Sequence, residues 1–217
     1  MVQKELKRPR GRPRAYDPDD ALVQATESFW HAGFAGTSLD ALSAATGMNR
    51  PSLYGAFGDK RELYLAALDR YVEVSRADMV RALSDDVPIA AGLQRVYDGA
   101  LALYFAKPEA PLGCFLIGTA ATEAAVDARV RAKLGTGLRE LTRTFEARFR
   151  AGRKNGEIPP GTDPVLLAEM AGAVLHSIAL RARAGDSRPS LQAFSRAAVK
   201  LLCGAARPRR RTKGSAR

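Results

Sequence analysis

Residues able to do chemistry gather in one short stretch: Thr37-Ser38, Asn49-Arg50-Pro51-Ser52, Tyr54-Gly55 and Lys60. Hydroxyls, a guanidinium and an ammonium at this spacing suit a polyanion rather than a reaction. A guanidinium can pair two acceptors on guanine, which makes Arg50 the candidate base reader. Thr37, Ser38, Tyr54 and Lys60 carry groups suited to phosphate oxygens. Ser52 and Gly55 can lie against a groove floor, and Gly55 permits close approach while reading little. No catalytic constellation accompanies them. Only two histidines occur, His31 and His176, and neither has a carboxylate or cysteine at metal-ligand spacing. No glycine-rich phosphate loop follows a strand, and no serine nucleophile elbow is present. Neither enzyme activity, nor a cofactor, nor a metal is expected.

Positioning those groups requires short capped helices. Asp17 caps the first, Pro18 takes its first position, and Leu22, Ala25, Phe29 and Trp30 give it an apolar face before Gly33 ends it. Thr37 is placed to cap a second helix, with Asp40 three residues on at capping-box spacing. Leu39, Leu42 and Ala45 form its apolar face, and Gly47 can take the left-handed conformation that stops it. Asn49 caps a third helix that tolerates Pro51 in its first turn and packs inward through Leu53 and Phe57. Asp59 caps a fourth, with Glu62 at its third position. Two short helices joined by a glycine turn, the second polar on one side, make a helix-turn-helix.

With Phe29, Gly33-Phe34, Thr37-Ser38, Leu42, Ala45, Gly47, Leu53-Tyr54, Phe57 and Lys60 in register over about 50 residues, the sequence resembles the tetracycline-repressor (TetR/AcrR) family of bacterial transcription regulators. The resemblance implies a homodimer, an all-α ligand domain and DNA binding released by a small molecule. It also implies phosphate contacts from Thr37, Tyr54 and Lys60, with Arg50, Pro51, Ser52 and Gly55 facing the bases. Ala56 stands where the family commonly has a phosphate-touching histidine, and Gly55 is smaller than usual, so the contact set on this helix is thin.

Charge is confined to the ends. The 217-residue chain has a formal net charge of +11, of which residues 1–14 hold +5 and residues 207–217 hold +6, leaving 15–206 neutral. The N-terminal Pro9-Arg10-Gly11-Arg12-Pro13-Arg14 resembles an AT-hook, with Arg10 and Arg12 suited to the narrow minor groove of A·T-rich DNA. Both tails are expected to be disordered, the C-terminal one adding salt-sensitive affinity. No apolar run approaches the ~18 residues of a membrane span, and no apolar stretch follows the basic start as in a signal peptide. No membrane partner and a cytoplasmic location are expected. Two cysteines, Cys114 and Cys203, do not suggest a disulfide scaffold.

The predicted organisation is all-α. It comprises the basic arm 1–14, a helix-turn-helix domain 15–60, a helical ligand-binding and dimerisation domain 61–206, and the tail 207–217. Helices are expected over about 60–82, 88–106, 112–126, 127–155, 163–184 and 189–205, with a bend at Gly135 or Gly137. Ala168, Ala171, Gly172, Ala173, Ala179, Ala193, Ala197 and Ala198 give the last two helices small faces suited to a two-fold dimer. Candidate pocket residues are Tyr97, Tyr104, Cys114, Phe115, Phe145, Met170 and His176, whose surroundings favour a small hydrophobic ligand. Cys114 opens a helix, a position that lowers a thiol pKa. The leading expectation is a dimeric, ligand-released regulator, most plainly a repressor, on a palindromic duplex operator. Its alternatives are an architectural A·T-rich DNA-binding protein driven by the tails and a Cys114-based redox or electrophile sensor.

Overall fold

The computed structural model describes residues 17–107 and 110–204, which are helical with no strand among them. The expectations for Arg10, Arg12, the arm 1–14 and the tail 207–217 lie outside the described residues. The chain divides into two compact units at Ala67/Leu68, inside a single helix. The first therefore extends beyond the expected limit at Lys60, because Tyr64 belongs to its core.

In the first unit, α1 (Pro18–Gly36) is capped by Asp17, whose carboxylate accepts from Asp19 N at 2.8 Å, and is broken at Gly33 by φ 72°, ψ 177°. Helix α2 (Leu39–Thr46) ends on Gly47 in the left-handed conformation, φ 65°. Helix α3 (Arg50–Phe57) starts from Asn49, whose side chain accepts from Ser52 N at 2.9 Å. Helix α4 (Lys60–Ala82) starts from Asp59, which accepts from Arg61 N and Glu62 N. Phe29, fully buried, meets Tyr64 edge-on at 5.1 Å between centroids, and Phe34 lies 5.1 Å from the same ring. That aromatic trio, with Leu42, Met48 and Leu53, is the core on which the short helices rest.

Two local readings change. The cap of α2 is Ser38, which accepts from Ala41 N at 3.0 Å, and not Thr37. Thr37 is only 2% exposed, and its hydroxyl is directed at Gly33 O, 2.6 Å away. Asp40 is consequently one residue too early for a capping box. Ala45 is exposed rather than part of the buried face.

The second unit contains the rest of α4, α5 (Ile89–Tyr104), a π-helical turn Leu116–Ala120 running into α6 (Ala121–Glu123), α7 (Ala128–Lys154), α8 (Pro164–Arg183) and α9 (Arg188–Cys203). Asp127, Asp163 and Ser187 cap the last three. The helix expected over 112–126 is shorter: Gly113 takes φ 64°, and a Cβ there would meet Ala179 O at 2.3 Å. Close backbone approach requires glycine at that point. Helix α7 runs unbroken through Gly135 and Gly137. Gly137 is a packing glycine, since its Cβ would come within 2.9 Å of both Leu116 and Val72. Helix α8, contrary to expectation, is long and apolar enough to cross a membrane by length and composition alone. Ala168, Ala171, Gly172, Leu175, Ile178 and Ala179 are buried in the unit, so one side of the helix packs on its core.

Candidate nucleic-acid interface and internal cavity

Helix α3 turns Leu53 inward and leaves Arg50, Pro51, Tyr54 and Gly55 exposed, with Ser52 half-buried and Asn49 exposed at its head. Tyr54 is 47% exposed. Exposed Ser38 accepts from Ala41 N, which leaves its own proton for an outside acceptor. Lys60 carries its Nζ 4.5 Å above the Phe34 ring, held at the head of α4 by a cation–π contact. Buried Thr37 stands apart from this group: its hydroxyl fixes the α1–α2 corner and does not point outward. Ser38, Asn49, Arg50 and Lys60 stand at the starts of α2, α3 and α4, with Tyr54 and Gly55 one turn into α3.

One partner was invisible in the sequence. Arg50 Nε and Nη2 donate to the same Asp40 oxygen, Oδ1, at 3.1 and 2.6 Å. The Asp40 hydrogen bond and charge raise the Arg50 pKa above its ordinary value. The pair joins α2 to α3 across ten residues, a separation no helical periodicity connects.

The second unit contains a cavity of about 240 Å3 between α4, α5, α7, α8 and the π-helical turn. Of the expected pocket residues, Tyr104, Cys114 and His176 line it. Tyr97, Phe115, Phe145 and Met170 do not. Tyr97 is buried and donates to Ala171 O at 3.1 Å, and Phe145 is core beside it. Phe115 packs edge-on against Tyr71 at 5.6 Å. Met170 is 50% exposed on the outer side of α8. Sequence reasoning missed Tyr71, whose hydroxyl donates to Cys114 Sγ at 3.4 Å and which lines the cavity with Tyr104.

Burial raises the pKa values of Tyr71 and Tyr104 well above the phenolic range. It also raises Cys114. The tyrosine hydroxyls and the N–H groups of Leu116 and Ile117 pull that thiol the other way, as a helix start should, but burial outweighs them. Burial lowers His176, which is therefore neutral at pH 7. The cavity thus sets Tyr71, Tyr104, Cys114 and His176 beside an apolar wall of Met79, Val96, Leu138, Leu141 and Leu175, with Asp78 and Arg95 also on its lining.

Comparison with known proteins agrees with both halves. Residues 21–67 match the family described as bacterial regulatory proteins, tetR family, and residues 91–198 match the tetracyclin repressor-like C-terminal domain. The chain is 31% identical to the HTH-type transcriptional repressor ComR of Escherichia coli (strain K12) over 196 residues, covering 90% of this chain and 93% of ComR. It is similar to the TetR-family regulator CifR, solved as a cysteine mutant with a 26-bp operator duplex. That likeness has a TM-score of 0.75 and 33% identity, and covers 87% of this chain and 98% of that one. The reduced form of NemR from E. coli shares the fold, with a TM-score of 0.76 at 18% identity over 88% of this chain and 99% of NemR. A helix-turn-helix with a polar outer face, a helical second unit and these likenesses agree: the chain belongs to the TetR family of DNA-binding transcription regulators.

Proposed function

We propose that the protein is a homodimeric repressor that holds a palindromic operator and releases it when a small apolar molecule occupies the cavity. The observation that carries the DNA-binding part is the outer face of α3, where Arg50, Tyr54 and Gly55 stand exposed around buried Leu53. Arg50 reads a base, and Ser38, Tyr54 and Lys60 take phosphates around it. ComR is a repressor, and CifR was solved with its operator, which supports carrying this role to the present chain. Arg10 and Arg12 extend the contact into the flanking minor groove.

Dimerisation is supported by apolar surface on the last two helices. Most of the small residues expected at a dimer interface are spent inside the unit. The outward stripe consists instead of Leu166, Met170, Ala173 and Leu180 on α8, with Ala197 and 84%-exposed Leu201 on α9. Spacings of four, three and seven place the α8 residues along one side of that helix. A two-fold partner presenting the same stripe covers it, and two α3 helices about one turn of DNA apart read a palindrome.

An engineered apolar cavity of about 150 Å3 accepts benzene, so the 240 Å3 here suits a somewhat larger molecule. Its wall takes Tyr71, Ser75, Asp78, Met79 and Ala82 from α4, the helix that begins at Lys60. A ligand that favours a shifted α4 by its differential affinity weakens DNA binding by the same free energy. The Cys114 thiol enters this reading as cavity wall, because burial keeps it protonated.

Selection of bound sites from random duplex DNA tests the proposal, using full-length protein and a variant lacking 1–14 and 207–217. A palindrome shared by both is the expected result. A·T-rich sequence from the full-length protein and nothing from the truncated one would replace the repressor with an architectural DNA-binding protein.

A further inference from the structure

Arg50 is the first residue of α3, where a cation opposes the positive end of the helix dipole. A bare guanidinium there would swing among rotamers and settle on any nearby phosphate. Asp40 prevents that by accepting from Nε and Nη2 with one oxygen. This uses two of the five guanidinium donors, both on the side edge of the fork. The end edge, formed by Nη1 and the outer Nη2 proton, keeps the parallel pair of donors that fits O6 and N7 of guanine. Asp40 itself lies in the first turn of α2, where a negative charge suits the helix dipole.

Building on the base-reading role proposed for Arg50, we infer that Asp40 is a specificity-determining positioning residue. It holds the side edge of Arg50 so that the end edge faces guanine in the major groove, and it keeps the guanidinium off the phosphates. The carboxylate touches no DNA in this arrangement and repels the backbone, so it costs affinity while sharpening choice.

That opposition separates the role from a merely structural one. Asp40→Ala releases Arg50 to a phosphate and removes a negative charge beside the DNA. Affinity for random duplex should rise several-fold at low salt, and the slope of log K against log[salt] should steepen by about one unit. Preference for guanine at one position per half-site should fall about tenfold. Asp40→Glu, which can still reach Arg50 with a carboxylate, should restore much of the preference. A purely structural Asp40 would lower random and specific binding together.

The measurement is site selection followed by salt titration on one selected and one random duplex, for the wild type, Asp40→Ala, Asp40→Glu and Arg50→Ala. Loss of the same guanine in Arg50→Ala and Asp40→Ala, with stronger random binding only in the latter, supports the inference. Loss in Arg50→Ala with undiminished preference in Asp40→Ala overturns the role of Asp40 and leaves that of Arg50 standing. Undiminished preference in Arg50→Ala overturns both.

Discussion

Each unit of this chain has an arginine held by a carboxylate, and the two are placed differently. Arg50 is 54% exposed in its side chain and meets Asp40 at the protein surface. Arg148 on α7 is 3% exposed. Its Nη2 donates to Val87 O at 2.7 Å and to both oxygens of Glu157 at 3.0 and 2.9 Å. Glu157 in turn accepts from Ile89 N at 2.7 Å, serving the start of α5, where Pro88 offers no side-chain cap. The buried pair ties the start of α5 to the end of α7 through Nη2 alone; Nε and Nη1 are buried without a hydrogen-bond partner, so no edge of this guanidinium reaches the surface. The surface pair contributes little to folding and leaves an edge of the fork facing out. The same chemical pair is a fastener when dry and a pointer when wet.

Breaking the dry pair should have the largest effect. Arg148→Ala strands Glu157 and Val87 O, and should cost about 3 kcal/mol of stability, the lower end for a broken buried pair, because Glu157 retains some solvent. Urea unfolding measures it, and a loss below 1 kcal/mol would erase the contrast. Arg50→Ala should leave the urea midpoint within error while reducing discrimination at one base position about tenfold or more, as read by site selection. A clear drop in midpoint would make Arg50 a fastener too.

Acid sharpens the comparison further. Burial alone would raise the Glu157 pKa, but Arg148 and the Ile89 N–H together hold it below the usual carboxylate value. A carboxylate with a depressed folded pKa stabilises the fold above its unfolded pKa and loses that contribution as pH falls through the folded one. Stability should therefore fall from about pH 4.3 downward, and the Glu157→Gln variant should show a shallower fall in pH-dependent urea melts. The smallest effect is expected at Gly99, a cavity residue in α5 whose added Cβ would meet nothing within 4 Å. Gly99→Leu should stabilise the helix by about 1 kcal/mol while crowding the cavity. A raised melting point with no loss of effector response would show that the cavity entrance lies elsewhere.

Features written in adjacent residues were legible. Asp17, Asn49, Asp59 and Gly47 do what their types require, since a cap acts within three residues. Thr37 and Ser38 differ by one position and share a hydroxyl, so chain pattern alone could not choose between them; burial of Thr37 decided it. The small residues of α8 and α9 signalled close packing without saying against what, and most face inward. Arg148 did leave a trace. It lies on the apolar side of α7 with Leu141, Phe145 and Gly152, at spacings of three, four and seven. The Asp40–Arg50 pair left none, because it forms only after the turn at Gly47 brings two helices together.

The π-helical turn Leu116–Ala120 gives the cavity one wall through Leu116 and Ile117. A π turn is an α turn carrying one extra residue. Gain or loss of a single codon there re-indexes which side chains face the cavity, while the caps of α7, α8 and α9 stay untouched. Evolution can thus retune what the cavity admits by insertion and deletion, without renegotiating the packing that holds the unit together.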